Sequence, residues 1–431
     1  MAGWQQGPRG GQVEGLSGRI LRTSVKAVTV LHRYRAVLRE SGLGPALAAS
    51  IVGRLALGMT GLATLLLVRV EDGSYAAAGA VAAAFAVAFA VGSPFLARTA
   101  DRRGPRRVLL LCAALHPAAV VTLALLAGHV PSGLLMLPSA VAGLTLPPLG
   151  SVMRALWGAR LQGPLLVTAY SLESVAVEVC FVLGPALTAG LSATAGPRVA
   201  LLVAGAAGGL GGALLGLSRP ITAVVPHPHA ARSLVGPLAT PAVRALLLTI
   251  VWVGLSFGAV EVAMPAFAEA HGARPASAGV LLAVWSFGSM VGGLVYGGLH
   301  LERPQVRQLP LLMTGLAIGS LLPLLAPGTL TMGVALFLFG ATIAPTFACN
   351  SVLLGRAAPA GTTTETFAWN GSMIFAGSAV GTAVAGGLAD SSGPTAALLV
   401  TGGAGLLTLL VSLSGLPAVR RAAAGPTAPA A

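Results

Sequence analysis

The chain has 431 residues, of which 55% are hydrophobic and only 9% are charged. Soluble domains carry about 25% charged residues, so this composition excludes a soluble globular protein and indicates a polytopic helical membrane protein. The net charge of +14 does not indicate a nucleic acid partner, because most basic residues lie in an N-terminal segment and in loops on one side of the predicted membrane. Anionic lipid headgroups are the expected partner of such loops.

The first 44 residues form a basic segment that is predicted to lie in the cytoplasm. This segment lacks the early apolar core and the small-residue cleavage site of a secretory signal. Twelve apolar runs follow, each close to the ~20 residues that an α-helix needs to cross a hydrocarbon core of ~30 Å. The sequence therefore predicts an all-α membrane protein with twelve transmembrane helices.

The first six helices are predicted over residues 45–68, 74–96, 107–127, 131–153, 163–187 and 199–217. A polar linker, residues 218–241, is the longest break in this pattern. Six further helices are predicted over residues 242–268, 276–300, 306–325, 329–354, 364–389 and 395–416. We therefore expect two six-helix halves, residues 45–217 and 242–416, and a cytoplasmic tail, residues 417–431.

The arginines and lysines predict the orientation of these helices. If both termini lie in the cytoplasm, all but a few of the 26 basic residues lie on the cytoplasmic side. Arg69, Arg198 and Arg274 then fall outside, and Arg54 lies within helix 1. This asymmetry follows the positive-inside rule and would be lost if one helix were added or removed. We expect a multi-pass protein of a bacterial cell membrane, because the frequent Ala, Gly and Arg residues are typical of a GC-rich bacterial source.

The most charged stretch, LARTADRRGPRRVLLL at residues 96–111, lies between predicted helices 2 and 3. Because such a stretch cannot lie in lipid, we predict a short cytoplasmic turn. It resembles the signature loop of the major facilitator superfamily, roughly G-x-L-A-D-R-x-G-R-R, although Ala97 and Pro105 depart from that pattern. In the family this loop is part of a gate; alternatively its arginines only set the topology. The residues that carry the resemblance are Asp101, Arg102, Gly104, Arg106 and Arg107.

The resemblance implies a fold of two six-helix pseudo-repeats with a small-molecule substrate site near the midplane between them. It also implies alternating access, in which the two halves rock about that site. We expect a monomer that needs no cofactor. A weak internal similarity agrees with two repeats, since residues 173–184 of helix 5 and 365–377 of helix 11 share spaced acidic and glycine positions.

Charged residues within helices are the main site candidates, because each costs about 2.5 to 3.5 kcal/mol at the bilayer centre. Arg54 and Glu173 lie at matched depths, about 13 and 15 Å into predicted helices 1 and 5 at 1.5 Å per residue. We expect Arg54 to pair with Glu173 or with Glu178. Such a pair either holds the two helices together or belongs to a proton relay. Glu261, in the outer part of helix 7, either binds substrate or takes part in coupling, or reaches toward the outer surface.

Other candidates depend more on the resemblance. Arg154, at the cytoplasmic end of helix 4, is interpreted either as a coupling residue or as a positive-inside anchor. Gly184 and Pro185 resemble the core of a motif that marks helix 5 in exporters of the superfamily, and Pro185 is expected to kink the helix. Two acidic residues are expected at the membrane interfaces, Glu365 and Asp390. The possible cavity-lining residues are Arg154, Trp252, Phe257, Trp285, Asn350 and Trp369.

The sequence gives no sign of a disulfide, a metal site or an ATP-driven pump. Its three cysteines are isolated in apolar runs, and it contains no G-x-x-x-x-G-K-[ST] loop. The features together favour proton-coupled efflux of a small amphipathic molecule or metabolite. The alternatives are an uptake symporter of the same fold and a membrane-embedded lipid-linked transferase, although the loops carry no obvious cluster of acidic residues for the latter. The cysteines are Cys112, Cys180 and Cys349.

Overall fold

The computed structural model describes residues 32–40, 42–72, 75–224, 236–272, 276–299 and 303–424. Within these ranges, twelve helices are long and apolar enough to cross a membrane. This confirms the predicted all-α fold and its number of spanning helices. Parts of the predicted N-terminal segment, linker and tail lie outside the described residues, as does Arg274.

The N-terminal half comprises α1 (Leu43–Asp72), α2 (Tyr75–Arg103), α3 (Pro105–Leu126), α4 (Ser132–Thr145 and Leu149–Arg160), α5 (Gly163–Ala195) and α6 (Pro197–Leu217). The C-terminal half comprises α7 (Pro241–Ala270), α8 (Ala276–Gly298), α9 (Gln305–Leu321), α10 (Thr329–Gly340 and Ile343–Ala357), α11 (Thr363–Ser392) and α12 (Pro394–Ala424). Between the halves lie a short helix, Arg219–Thr222, and a 3-10 turn, Gly236–Ala239.

The fourth helix of each half is divided into two segments. In α4 the interruption contains Pro147 and Pro148, which have no amide hydrogen to donate to a helix. In α10 the interruption is at Ala341 and Thr342. The two breaks occupy equivalent places in the two halves. In each half, the second segment of the fourth helix is therefore a separate short helix.

Several helices extend past their predicted ends. α2 continues to Arg103 instead of ending at residue 96, so the turn predicted within residues 96–111 is present but is confined to Gly104. α5 continues to Ala195 rather than to 187, and α12 to Ala424 rather than to 416. An apolar run marks the part of a helix that crosses hydrocarbon, whereas helical hydrogen bonding continues among charged residues whose side chains reach water.

Small residues allow the helices within each half to cross closely. A Cβ atom on Gly58 of α1 would lie 2.6 Å from the carbonyl oxygen of Cys180 on α5. In the C-terminal half, a Cβ atom on Gly377 of α11 would overlap the carbonyl oxygen of Val251 on α7. Close backbone approach of this kind stabilises helix pairs in lipid, where no hydrophobic force separates protein from solvent.

The two halves meet on the side of the molecule that holds the start of α1 and the end of α12, which we call the terminal side. A single cluster of buried apolar residues joins both halves there, and the rings of Tyr170 on α5 and Phe367 on α11 lie 5.8 Å apart within it. On the opposite side, the buried apolar residues form two clusters, one in each half. The molecule is therefore closed on the terminal side.

Candidate functional site

Arg54 and Glu173 form a buried ion pair between α1 and α5. Glu173 is fully buried, and Arg54 is 8% exposed. The guanidinium also donates to Ser50 Oγ, at 2.8 Å from Nη2 and 3.1 Å from Nε. The other carboxylate oxygen of Glu173 accepts a hydrogen bond from Trp157 Nε1 at 3.1 Å. Of the two partners that the sequence allows for Arg54, the structure therefore has Glu173, and both oxygens of this carboxylate are bonded.

A second guanidinium, that of Arg154, lies beside this pair. A Cβ atom on Gly150 would be 3.5 Å from Arg154 Nη1 and 3.9 Å from Arg54 Nε, so both guanidinium groups lie next to Gly150. Arg154 lies within electrostatic range of Glu173 and Arg54. Its side chain reaches one turn deeper along α4, so it belongs to this cluster rather than to the membrane surface. The cluster holds two positive charges and one negative charge.

Glu178 lies near the middle of α5, at the boundary between the halves. Its Oε1 atom accepts a hydrogen bond from Ser289 Oγ on α8 at 2.8 Å, and Ser286 on the same helix is a further side-chain donor. Glu173 and Glu178 are five residues apart and so lie about 140° apart around the helix. For this reason Glu173 faces α1 within its own half, whereas Glu178 faces the other half.

Asp101, near the terminal-side end of α2, caps the start of α11 in the other half. Its Oδ1 atom accepts a hydrogen bond from the Thr364 amide at 3.1 Å, and Oδ2 accepts one from the Glu365 amide at 2.9 Å. Amides in the first turn of a helix have no partner within that helix, and the helix dipole is positive there. Asp101 therefore interacts with the partial positive charge at the N-terminal end of α11.

An ion pair across the halves lies beside the cap. Arg98 Nε on α2 is 3.6 Å from Glu365 Oε2 on α11. Glu365 is only 5% exposed, so it faces the other half instead of lying at the membrane surface as expected. Asp390, near the far end of α11, is exposed. Deeper along the same two helices, Ser372 Oγ donates to the carbonyl oxygen of Ala90 at 2.6 Å.

The other residues of the signature loop have different surroundings. Gly104 has a φ of 90°, a conformation that favours glycine, and it separates α2 from α3. Arg102 lies within electrostatic range of Glu365. Arg106 and Arg107 are exposed in the first turn of α3 and, with Arg102, line a surface cavity of about 390 Å³ on the terminal side. Within the signature loop and the end of α2, the hydrogen bonds and the ion pair described to the other half are made by Asp101 and Arg98.

An aromatic group lies in the C-terminal half. The rings of Phe257 on α7 and Trp285 on α8 are 5.0 Å apart and nearly perpendicular, and Phe347 on α10 is 6.1 Å from Phe257. Glu261 is exposed and lies one turn beyond Phe257 on the same face of α7. Trp285 directly precedes Ser286, so this group adjoins the part of α8 that contacts Glu178.

Three further residues were predicted to line a cavity. Trp252 is five residues before Phe257 and so about 140° away from it around α7. Asn350 is fully buried, and its Nδ2 atom donates to Asn370 Oδ1 at 3.1 Å within the C-terminal half. Trp369 is partly buried against the apolar cluster of the terminal side. The described ring contacts of Phe257 and Trp285 do not include Trp252 or Trp369.

Gly184 and Pro185 lie where α5 crosses α1. A Cβ atom on Gly184 would be 2.7 Å from the carbonyl carbon of Gly58, so this position needs glycine for close approach. The helix Gly163–Ala195 is not interrupted at Pro185. Pro185 therefore lies inside a continuous helix, next to the closest crossing of α1 and α5.

The sequence did not identify three partners in these contacts: Ser289, Trp157 and Arg98. Ser286 and Ser289 are three residues apart on an otherwise apolar helix, which places them on one face and could have pointed to a polar contact. Arg98 and Asp101 share the same spacing, but this signal appears only if α2 is known to continue to Arg103. Trp157 carries no such signal.

The chemistry available to these residues is charge pairing and proton exchange. Within the described ranges, there is no group of three or more His, Cys, Asp or Glu side chains that could hold a metal ion. Glu173 is balanced by guanidinium groups, whereas the described partners of Glu178 are serine hydroxyls.

The family model of the Major Facilitator Superfamily matches residues 46–303 and 246–430. No curated protein sequence matches the chain. Among solved structures, the fold is similar to that of the human organic anion transporter MFSD10 (TETRAN), with a TM-score of 0.70 and 19% identity over 86% of this chain and 98% of that one.

Two further structures are similar at the level of the fold. A bacterial homologue of the iron transporter ferroportin, in an outward-facing state, has a TM-score of 0.70 and 14% identity, over 86% of this chain and 98% of its own. The proton:xylose symporter XylE, bound to 6-bromo-6-deoxy-D-glucose, has a TM-score of 0.65 and 13% identity, over 86% and 95%. The family model covers nearly all of the spanning helices, and the chain is therefore a multi-pass membrane protein that belongs to the major facilitator superfamily, a family of transporters.

Proposed function

We propose that the protein is a secondary active transporter that exports a small amphipathic molecule in exchange for protons by alternating access. The observation that carries this proposal is the position of Glu178, a carboxyl group near the middle of α5 whose described hydrogen bond is to Ser289 of the other half. Any movement that separates α5 from α8 must change the surroundings of this carboxyl group. Proton binding and the movement of the halves are thereby linked.

The terminal side lies in the cytoplasm in this proposal. Basic residues at the terminal-side ends of the helices support this orientation, since cytoplasmic loops carry an excess of arginine and lysine. The state described here, closed on the terminal side, is then the outward-facing state. Examples of these residues are Arg103, Arg160, Arg303 and Arg356.

Glu178 is the residue to which we assign the transported proton. A carboxylate inside the membrane needs a balancing charge, and the described partners of Glu178 are hydroxyl groups. Protonation makes the carboxyl group neutral, so that no balancing charge is needed. Glu173 is already balanced by Arg54, and Trp157 bonds its other oxygen, so its main role is to hold α1, α4 and α5 together.

The aromatic group next to Glu178 supports an amphipathic substrate. Phe257, Trp285 and Phe347 supply apolar and π surfaces at the part of α8 that contacts Glu178. Glu261, exposed one turn farther along α7, adds a carboxyl group to this side. A molecule with an apolar body and a polar or cationic end suits such a surface.

An uptake symporter is the second candidate, because a proton:xylose symporter has a similar fold. Export is favoured by the resemblance of Gly184 and Pro185 to the exporter motif, which lies at the crossing of α1 and α5. The direction of flux separates the two candidates. Substrate export consumes a proton gradient directed into the cell, whereas symport would accumulate substrate inside right-side-out vesicles.

The test uses inverted membrane vesicles that contain the protein, with a pH-sensitive dye to follow the proton gradient. Cationic, neutral and anionic compounds are added in turn. We expect at least one compound to collapse the gradient with the wild type, and Glu178→Gln to abolish that response. The matched control is Glu269→Gln, because Glu269 is exposed at the end of α7 and the same change there should leave the response intact.

Two results would contradict the proposal. If substrate crosses the membrane while the gradient does not respond, the transport is not coupled to protons. If Glu178→Gln responds like Glu269→Gln, Glu178 is not the proton carrier. Accumulation of the same compound in right-side-out vesicles, driven by an inward proton gradient, would instead identify an uptake symporter.

A further inference from the structure

Residues 32–40, which we call the strap, precede α1 and are helical over 32–39. Gly42 has a φ of 76°, and a Cβ atom on Gly44 would lie 2.8 Å from the carbonyl oxygen of Leu38. These two glycines allow the strap to turn back closely onto the start of α1. Val37 is fully buried in the apolar cluster of the terminal side, so the strap is packed against the protein.

The strap is connected to the N-terminal half but also bonds to α8 in the C-terminal half. Tyr34 Oη donates a hydrogen bond to the carbonyl oxygen of Leu294 at 2.8 Å. A Cβ atom on Gly297 would be 2.5 Å from Tyr34 Oη, so glycine at this position makes room for the hydroxyl group. Arg33 Nη1 is 3.5 Å from the carbonyl oxygen of Gly298 at the end of the same helix.

Tyr34 lies where α5 and α8 meet on the terminal side. Thr168 Oγ1 on α5 donates to the carbonyl oxygen of Gly297 at 2.6 Å. Ser171 is fully buried against the same glycine. If α8 moves away from α5 to open the terminal side, the carbonyl oxygen of Leu294 moves away from a strap that is held to α1 by its short connection.

We propose that Tyr34 is a positioning residue of the transport cycle, whose hydrogen bond to Leu294 holds α8 against the N-terminal half and favours the state closed on the terminal side. This inference rests on the proposed alternating access. Burial raises the pKa of Tyr34 to about 12, so the hydroxyl group remains a donor at physiological pH. A neutral hydrogen bond of this kind changes an equilibrium by about two- to tenfold.

The test measures how often the contact between α5 and α8 opens. Ser171→Cys is introduced as a reporter into a protein in which Cys112, Cys180 and Cys349 are replaced by alanine, and its reaction rate with N-ethylmaleimide is measured. The test variant is Tyr34→Phe. The matched control is Tyr296→Phe, because the Tyr296 hydroxyl also makes a 2.8 Å hydrogen bond, but to Gln308 within the C-terminal half.

We expect Tyr34→Phe to increase the reaction rate by about two- to tenfold, and Tyr296→Phe, which also loses one hydrogen bond, to leave it within about twofold of the parent. Equal rates for the two variants would overturn the proposal. The rates are measured without substrate and without a proton gradient. This test of the Tyr34 contact can therefore give a negative result while the vesicle test supports proton-coupled export, and the reverse.

Discussion

The carboxylate of Asp101 and the backbone amide of Glu365 meet across the boundary between the two halves, with Oδ2 2.9 Å from the nitrogen. This contact closes the edge formed by α2 and α11. The hydrogen bond between Glu178 and Ser289 closes the other edge, formed by α5 and α8. The two halves are thus held together at two separate places, one on the terminal side and one near the middle of α5, and variants at each place can test them separately.

Asp101→Asn should loosen the edge between α2 and α11. Asparagine has one acceptor oxygen and no charge, so it cannot bond both amides of α11 as the carboxylate does, and the loss is about 1–2 kcal/mol. A cysteine reporter at Ser372, which is 7% exposed on this edge, should then react about five- to thirtyfold faster with N-ethylmaleimide.

The control for this prediction is Asp390→Asn. Asp390 is exposed near the other end of α11, so the same chemical change there alters the net charge of the same helix without touching the cap. It should leave the rate of the Ser372→Cys reporter unchanged. The Asp101 cap has no gating role if both variants give the same rate.

We expect two charge-removing variants of the buried cluster to differ in stability, since this cluster holds two positive charges, on Arg54 and Arg154, and one negative charge, on Glu173. Glu173→Gln leaves two guanidinium groups close together without their carboxylate, and breaking a buried pair costs about 3–5 kcal/mol. Arg54→Gln should cost less, because Arg154 remains within range of Glu173. Melting temperatures of the purified variants should therefore fall further for Glu173→Gln than for Arg54→Gln.

The double variant Arg54→Gln/Glu173→Gln completes this test. Because both changes act on the same pair, their effects on the melting temperature should be smaller in combination than the sum of the two single effects. Strictly additive effects would show that the two side chains do not interact. A larger effect of Arg54→Gln than of Glu173→Gln would contradict the role of Arg154 as the remaining partner.

Physical constraints of the membrane made part of this molecule predictable from its sequence. Twelve helices follow from apolar runs of membrane length and from the distribution of arginine. The contact between Arg54 and Glu173 was among the expectations, because an unpaired charge is costly within lipid and two opposite charges at equal depth can form a pair. The remaining contacts depend on groups that a sequence does not distinguish: the partners of Asp101 are backbone amides, and Ser289 is one of several serines in the membrane helices.

Helix ends were the least predictable feature. Hydropathy follows the hydrocarbon core, whereas the cap by Asp101 depends on α2 continuing past that core to Arg103. Arg98 and Asp101 then lie about one turn apart and reach α11 together. When helix 2 is predicted to end at residue 96, Arg98 and Asp101 are not placed on one helix. The sequence therefore did not predict their contacts with α11 or the buried position of Glu365.

Gly58→Ala should destabilise the N-terminal half at the crossing of α1 and α5. Its Cβ atom would lie 2.6 Å from the carbonyl oxygen of Cys180, and backbone cannot move aside as a flexible side chain can. Overpacking of this kind costs about 1–3 kcal/mol. Gly61→Ala is the control, because nothing lies within 4 Å of a Cβ atom there, and the melting temperature should fall only for Gly58→Ala.

Ser289→Ala should loosen the edge between α5 and α8. The change removes the hydroxyl group that bonds Glu178 across the halves, and the reaction rate of the Ser171→Cys reporter should rise about two- to tenfold. Ser256→Ala is the control, since Ser256 is also fully buried but donates to the carbonyl oxygen of Thr401 within the C-terminal half. Combined with Tyr34→Phe, Ser289→Ala should multiply the two rate increases, because the contacts lie on different turns of α8. A double variant no faster than either single variant would mean that only one of these contacts limits opening.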